Sequence, residues 1–318
     1  MSLPKVSVIG AGQVGATTAH LLALKGLADI TLIDIVEGLA QGKALDMMQS
    51  APVEGFPGRV SGTADFDALA GSQLVIITAG LARKPGMSRD DLLVANANII
   101  GPIADRVAKL APNAIVIVVT NPLDVMVALT LKRTGFSRQR VMGMAGVLDS
   151  ARLRAFIAMR LNVPPATVSA MILGSHGDLM VAIRDSITVD KKPISQLLPA
   201  NEIDALIDRA KNGGAEIVSL LKTGSAFYAP ATGVVEMASA ILRNTHATLP
   251  VCAQLTGEYG LRDVCIGVPA QLGAQGIERV VEMALSKEDQ AALTHAAKQV
   301  SEMVEKLSQL QTATQVNT

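Results

Sequence analysis

The sequence predicts an α/β fold, a doubly wound parallel sheet followed by a second, α+β domain. Three observations carry that expectation. The first half alternates short runs rich in β-branched residues with longer helical stretches, the pattern of parallel strand–helix–strand units. Its strand candidates are nearly continuous Val/Ile runs, as strands buried on both faces are. A glycine-rich turn follows the first of them directly.

The expected elements run in order. Strands are read at "KVSVIG" (5–10), "ITLIDI" (30–35), "LVIITAG" (74–80), "AIVIVVTNP" (114–122) and "RVMGMA" (140–145), with helices over 13–26, 38–50 and 90–111 among them. From about residue 149 the texture changes. A helix (149–162) leads to one strand (167–177), a hairpin around 186–194 and helices at roughly 201–222 and 230–245. Strands near 249–256 and 264–268 and a long helix (286–309) follow, and the last residues, "QTATQVNT", are expected to fray. Two domains are therefore expected, 1–148 and 149–318, with an irregular loop at about 81–95 in the first.

Composition narrows the partners. The 318 residues carry 28 Lys plus Arg and 28 Asp plus Glu, so no global field favours nucleic acid or a membrane surface. Apolar runs such as "AIVIVV" (114–119) are far shorter than the ~20 residues a membrane span needs. No secretory pattern is read ahead of the first strand, and the cytoplasm is the expected compartment. Cys252 and Cys265 lack metal-ligand spacing and are expected as buried thiols, with no metal site. Thirteen methionines against 2% aromatics, with a mean hydropathy of +0.38, hint at buried subunit interfaces. A homo-oligomer is expected.

"VSVIGAGQVGATTAHLLA" places Gly10, Ala11, Gly12, Gln13, Val14 and Gly15 between a strand and a helix. In that context the glycines serve distinct ends: a tight turn, backbone approach to a pyrophosphate, and close helix–strand packing. The helix amino terminus offers free N–H groups to the phosphates. Asp34 ends the second strand nineteen residues after Gly15, where a carboxylate grips ribose hydroxyls and repels a 2′-phosphate. The reading is a Rossmann-type dinucleotide domain that prefers NAD to NADP.

His176 lies just past a strand in "LGSHGD", while His20, His246 and His295 sit in helix-like stretches without chemical neighbours. In "VLDSARLRAF", Asp149 and Arg152 are three apart and share a helix face, either as a plain intrahelical ion pair or as parts of a site. An acid, an arginine and a histidine suffice to move a proton beside an anionic group. The stretch "GLARKPGMSRDDLL" (80–93) adds Arg83, Lys84 and Arg89, as a solvated loop or as a docking place for an anion.

Taken together, "GAGQVG", "LIDI", "AGLARKPGMSRDDLLVANANI", "VVTNPLDV", "GMAGVLDSARLR", "GSHGDLMV" and "VCIGVPAQLGAQGIERV" resemble the lactate/malate dehydrogenase family, from residue 5 to about 308. The likeness is closest to its lactate-dehydrogenase-like malate branch. The resemblance implies reversible oxidation of a 2-hydroxy acid with NAD. It makes His176 the acid–base, Asp149 its partner, and Arg152 the holder of the substrate C1 carboxylate. Arg89, on a closing loop, would polarise the C2 oxygen, and Arg83 would take a second carboxylate where lactate enzymes usually carry glutamine. Asn121 would touch substrate and nicotinamide, and Asn96 and Val119 would line the cofactor site. Family members form dimers and tetramers, with a tetramer favoured here. Ser175, Leu179 and Ala182 depart from the branch's usual Gly, Thr and Pro without removing a catalytic group. A lactate or other 2-hydroxyacid dehydrogenase, or a nucleotide-binding protein without catalysis, are the competing readings.

Overall fold

The computed structural model describes residues 3–81 and 86–316. Its first half lays down β1 (Lys5–Ile9), α1 (Gln13–Leu24), β2 (Asp29–Ile33), α2 (Leu39–Glu54), β3 (Val60–Thr63), β4 (Leu74–Ile77), α3 (Arg89–Leu110), β5 (Ile115–Val118), α4 (Leu123–Thr134) and β6 (Val141–Gly143). These strands are parallel in the order β3-β2-β1-β4-β5-β6. That is the order of a doubly wound dinucleotide fold, whose direction reverses between β1 and β4. β4 and β5 are buried at every position, as their unbroken apolar runs require.

The second half contains α5 (Gly146–Leu161), β7 (Val168–Ser169), β8 (Ile172–Gly174), β9 (Met180–Ala182), β10 (Thr188–Val189), β11 (Lys192–Pro193), α6 (Ala200–Lys211), α7 (Gly213–Leu221), α8 (Tyr228–Leu242), β12 (Ala247–Thr256), β13 (Arg262–Gly273), β14 (Gly276–Val280) and α9 (Lys287–Val316). Its larger strands do not form a separate sheet. β12 pairs with β6 at Cys252 and Gly143, and β13, β8 and β9 extend the same sheet antiparallel. β7, β10 and β11 form a small second sheet.

Several expectations change in detail. β3 and β14 were not expected from sequence; β3 reads "VSGT", too short and polar to announce a strand. α4 was not singled out either, because seven of its residues are buried around the helix, which erases the amphipathic stripe. The single strand expected over 167–177 is two short ones, β7 and β8. The single helix expected over 201–222 breaks at Asn212 into α6 and α7. α9 runs on to Val316 rather than ending at 309. His246 lies between α8 and β12, where its Nδ1 is 2.8 Å from Glu278. Among the described residues, no helix is long and apolar enough to cross a membrane.

Candidate active site

The glycine-rich turn opens over the β1/β4 crossover. Gly10 has φ +101°, and a Cβ there would stand 2.6 Å from the Ala79 amide nitrogen and 2.8 Å from Thr78 Oγ1. A Cβ on Gly15 would collide with the Gly10 carbonyl, whereas one on Gly12 would meet nothing within 4 Å. The turn is thus closed at its two ends and open in the middle, the shape a diphosphate needs. Asp34 faces the same turn. Its carboxylate accepts the Ala11 amide at 2.6 Å and the Val36 amide at 2.9 Å. Lys43, which sequence reasoning missed, donates from α2 to the Ala11 carbonyl at 2.7 Å. The open backbone at Gly12 and the acid at the end of β2 fit a dinucleotide with free ribose hydroxyls.

The far side of the cleft is set by the β4 and β5 termini. Val119 and Thr120 follow β5, and Asn121 is exposed just before α4. Asn96, expected to line the cofactor site, is fully buried on α3. Its amide accepts from Leu81 N at 2.7 Å and donates to the Leu81 and Asn121 carbonyls at 3.1 and 2.7 Å. It therefore brackets the two loop starts, shaping the cleft from behind.

The histidine and the acid, 27 positions apart, meet. The Ile172 amide of β8 donates to Ser150 Oγ of α5 at 3.0 Å, which lashes strand to helix and brings the loop after β8 over Asp149. His176 Nδ1 lies 2.9 Å from Asp149 Oδ2. Burial works against a charged imidazole here. The charge and hydrogen bond of Asp149 and the charge of Asp124 outweigh burial and the opposing Arg152, so His176 titrates above its ordinary value. With Nδ1 committed, Nε2 is the nitrogen left to exchange a proton.

Arg152 completes the cluster from the same helix face. Its guanidinium is 3.6 Å from Asp149 Oδ1, and its Nε is buried without a hydrogen-bond partner. Burial pulls it below its usual pKa against the opposing pull of Asp149. The start of α7 runs close beside this arginine: a Cβ on Gly213 or Gly214 would stand 3.2 Å or 3.4 Å from the Arg152 side chain. A half-buried guanidinium with an unspent Nε donor suits a carboxylate.

Arg89 is not in a loop but the first residue of α3, behind a capping box in which Ser88 and Asp91 satisfy each other's amides. It is largely exposed and pairs with Asp178, two residues past His176, at 2.9 Å. Arg83 and Lys84 lie outside the described residues. Leu179 packs on the main core, and Ala182 pairs with Ile172 in β9. Cys252 and Cys265 are buried free thiols. A cleft of about 770 Å³ behind α5, lined by Ser150, Arg154, Met171 and Glu236, contains none of the expected site residues.

A crossover cleft shaped for a dinucleotide, beside a histidine–carboxylate pair and a half-buried arginine, fits the chemistry of a nicotinamide-dependent dehydrogenase. Family models for the lactate/malate dehydrogenase NAD binding domain and alpha/beta C-terminal domain match residues 4–143 and 146–311, and the chain belongs to that family. It is 51% identical to the malate dehydrogenase of Thermomicrobium roseum over 96% of this chain and 99% of that one. Among solved structures, Cryptosporidium parvum malate dehydrogenase superposes with a TM-score of 0.94 at 42% identity, covering 96% and 99% of the two chains. The lactate dehydrogenase of the same organism, complexed with lactic acid and NAD, gives 0.93 at 39% identity, covering 97% and 99%. The resemblance read from the motifs is borne out, as are the α/β fold and the nicotinamide cofactor.

Proposed function

We propose that the chain oxidises (S)-malate to oxaloacetate, reversibly and with NAD. The observation that carries this reading is Arg152, buried and unspent at Nε, beside the His176–Asp149 pair. A 2-hydroxy acid placed with its C1 carboxylate on Arg152 has its hydroxyl within the sphere of the histidine. Arg83 supports the four-carbon dicarboxylate over lactate, since a methyl group would leave that cation without a counter-charge.

The glycine-rich turn at Gly10, Ala11, Gly12, Gln13, Val14 and Gly15, with Asp34, Val119 and Asn121, would hold the dinucleotide. NAD supplies the hydride acceptor when bound. The chain itself does the proton work. Neutral His176 takes the C2 hydroxyl proton on Nε2, and Asp149 holds the ring and balances the imidazolium. In the reverse direction the protonated ring donates. Arg89 turns from Asp178 to the C2 oxygen and meets the charge that develops there.

Residues 1–148 serve the cofactor and 149–318 the acid–base and the C1 carboxylate. The assembly is a homotetramer in the cytoplasm, where the reaction is a step of the tricarboxylic acid cycle. The deciding experiment is kcat/KM for oxaloacetate and pyruvate with NADH and with NADPH. A preference for pyruvate would replace malate with lactate, and turnover of neither would remove the enzyme reading.

A further inference from the structure

Asp124 is an ionisable group that the mechanism above leaves unused. It lies in the first turn of α4, three residues after Asn121, and is 3% exposed. Burying a carboxylate is costly unless its oxygens are satisfied; burial raises the Asp124 pKa, and Ser175, the neighbouring Cys252 thiol and His176 oppose that rise. Oδ2 accepts Ser175 Oγ at 2.6 Å and the His176 amide at 3.2 Å. Oδ1 has no hydrogen-bond partner. A leucine or asparagine would suit that helix position more cheaply if packing were its whole purpose.

The two donors come from the other half of the chain, 51 and 52 positions away. They are the residue before the acid–base and the acid–base's own backbone. The Ser175 hydroxyl, buried beside the acid–base, is spent on Asp124. The histidine loop is thus gripped twice. Asp149 of α5 holds the imidazole, and Asp124 of α4 holds the backbone beneath it.

We propose that Asp124 is a positioning residue, fixing the His176 loop of the second half against the helix that begins beside Asn121 in the first. Hydride and proton must leave the same substrate carbon unit in one alignment. The cofactor is cradled by the first half and the proton acceptor by the second, so a tether between α4 and the loop sets their register. The helix amino terminus favours the anion that does this. The groups facing His176 are Asp149 and Arg152 from α5, Asp124 from α4, and, along its own loop, Asp178 paired to Arg89 of α3. Asp124 is among those that raise the histidine's titration.

The inference rests on His176 being the acid–base, and the test separates the two. Protein labelled with 13C at histidine Cε1 has four histidines to observe, and His176→Asn assigns the signal. Asp124→Asn and Ser175→Ala are compared with wild type for the His176 titration midpoint, kcat of oxaloacetate reduction and NADH affinity by fluorescence. The expected result is a lower His176 midpoint in Asp124→Asn. In Ser175→Ala, kcat falls about tenfold, the scale of one hydrogen bond to a buried charged group, with NADH affinity unchanged. Should Asp124→Asn fold poorly, Ser175→Ala carries the test alone through the same kcat-against-affinity split. A wild-type midpoint with wild-type kcat in both variants overturns the proposal. So does a loss of NADH affinity that matches the loss of kcat, which is the mark of general damage. Wild-type turnover in His176→Asn removes the acid–base reading instead, and the NMR midpoint still decides whether Asp124 acts on that ring.

Discussion

His176 Nδ1 stands 2.9 Å from Asp149 Oδ2, while the other oxygen of the same carboxylate faces the Arg152 guanidinium at 3.6 Å. One buried anion therefore contacts both the ring and the guanidinium to which the proposed function gives proton exchange and the seating of a carboxylate. His176→Asn is expected to leave NADH binding intact and to slow turnover by roughly 10²-fold or more. Asp149→Asn should act in the same direction, with KM for oxaloacetate also raised because Arg152 loses its neighbour. Stopped-flow NADH oxidation, with NADH affinity measured separately, checks both.

The pH dependence has a definite sign. His176 titrates above the ordinary 6.5, and the proposed mechanism needs its protonated form for reduction. The alkaline limb of the oxaloacetate reduction profile should therefore lie above pH 6.5, and malate oxidation should rise through the same value. A folded-state pKa raised above the unfolded one also contributes stability. That stability is fully present below about 6.5 and is lost as pH rises through the folded value. Rate profiles and denaturant midpoints between pH 6 and 9 measure the two effects independently.

Gly12 and Gly15 make a matched pair. A Cβ on Gly15 strikes the Gly10 carbonyl and Thr78 Oγ1, whereas one on Gly12 meets no protein atom. Gly15→Ala should destabilise the fold by about 1–3 kcal/mol, the usual overpacking cost. Gly12→Ala should melt like wild type yet bind NADH more weakly. Equal melting temperatures for the two variants would contradict this account of the turn.

Asp34 should set the cofactor preference. With its carboxylate directed at the glycine-rich turn, NADH is expected to outperform NADPH at least tenfold, about 1.4 kcal/mol. Asp34→Ala should narrow that ratio through improved use of NADPH.

Arg83→Gln tests the substrate assignment. On the proposed reading it removes the partner of the distal carboxylate and the penalty on a methyl group together. Sites built around a polar partner discriminate by up to ~10⁴–10⁵, so the oxaloacetate-to-pyruvate ratio should fall by several orders of magnitude. A change smaller than about tenfold, under 1.4 kcal/mol, would take specificity away from Arg83.

The sequence by itself determined the strand–helix alternation, the glycine-rich turn, the acid at the end of β2 and the Asp149–Arg152 face. Each is a local pattern, written within one turn or one element, and periodicity or spacing records it. The Ile172–Ser150 lashing that brings His176 to Asp149, the Gly213–Gly214 approach to Arg152 and the buried Asp124–Ser175 contact were decided only by tertiary structure. So was the burial of Asn96, whose amide is spent holding Leu81 and Asn121. The physical reason is distance along the chain. A hydrogen bond between residues 22 or 51 positions apart leaves no periodic trace, and the unbroken buried run Leu123–Val127 that opens α4 hides the face on which its carboxylate stands.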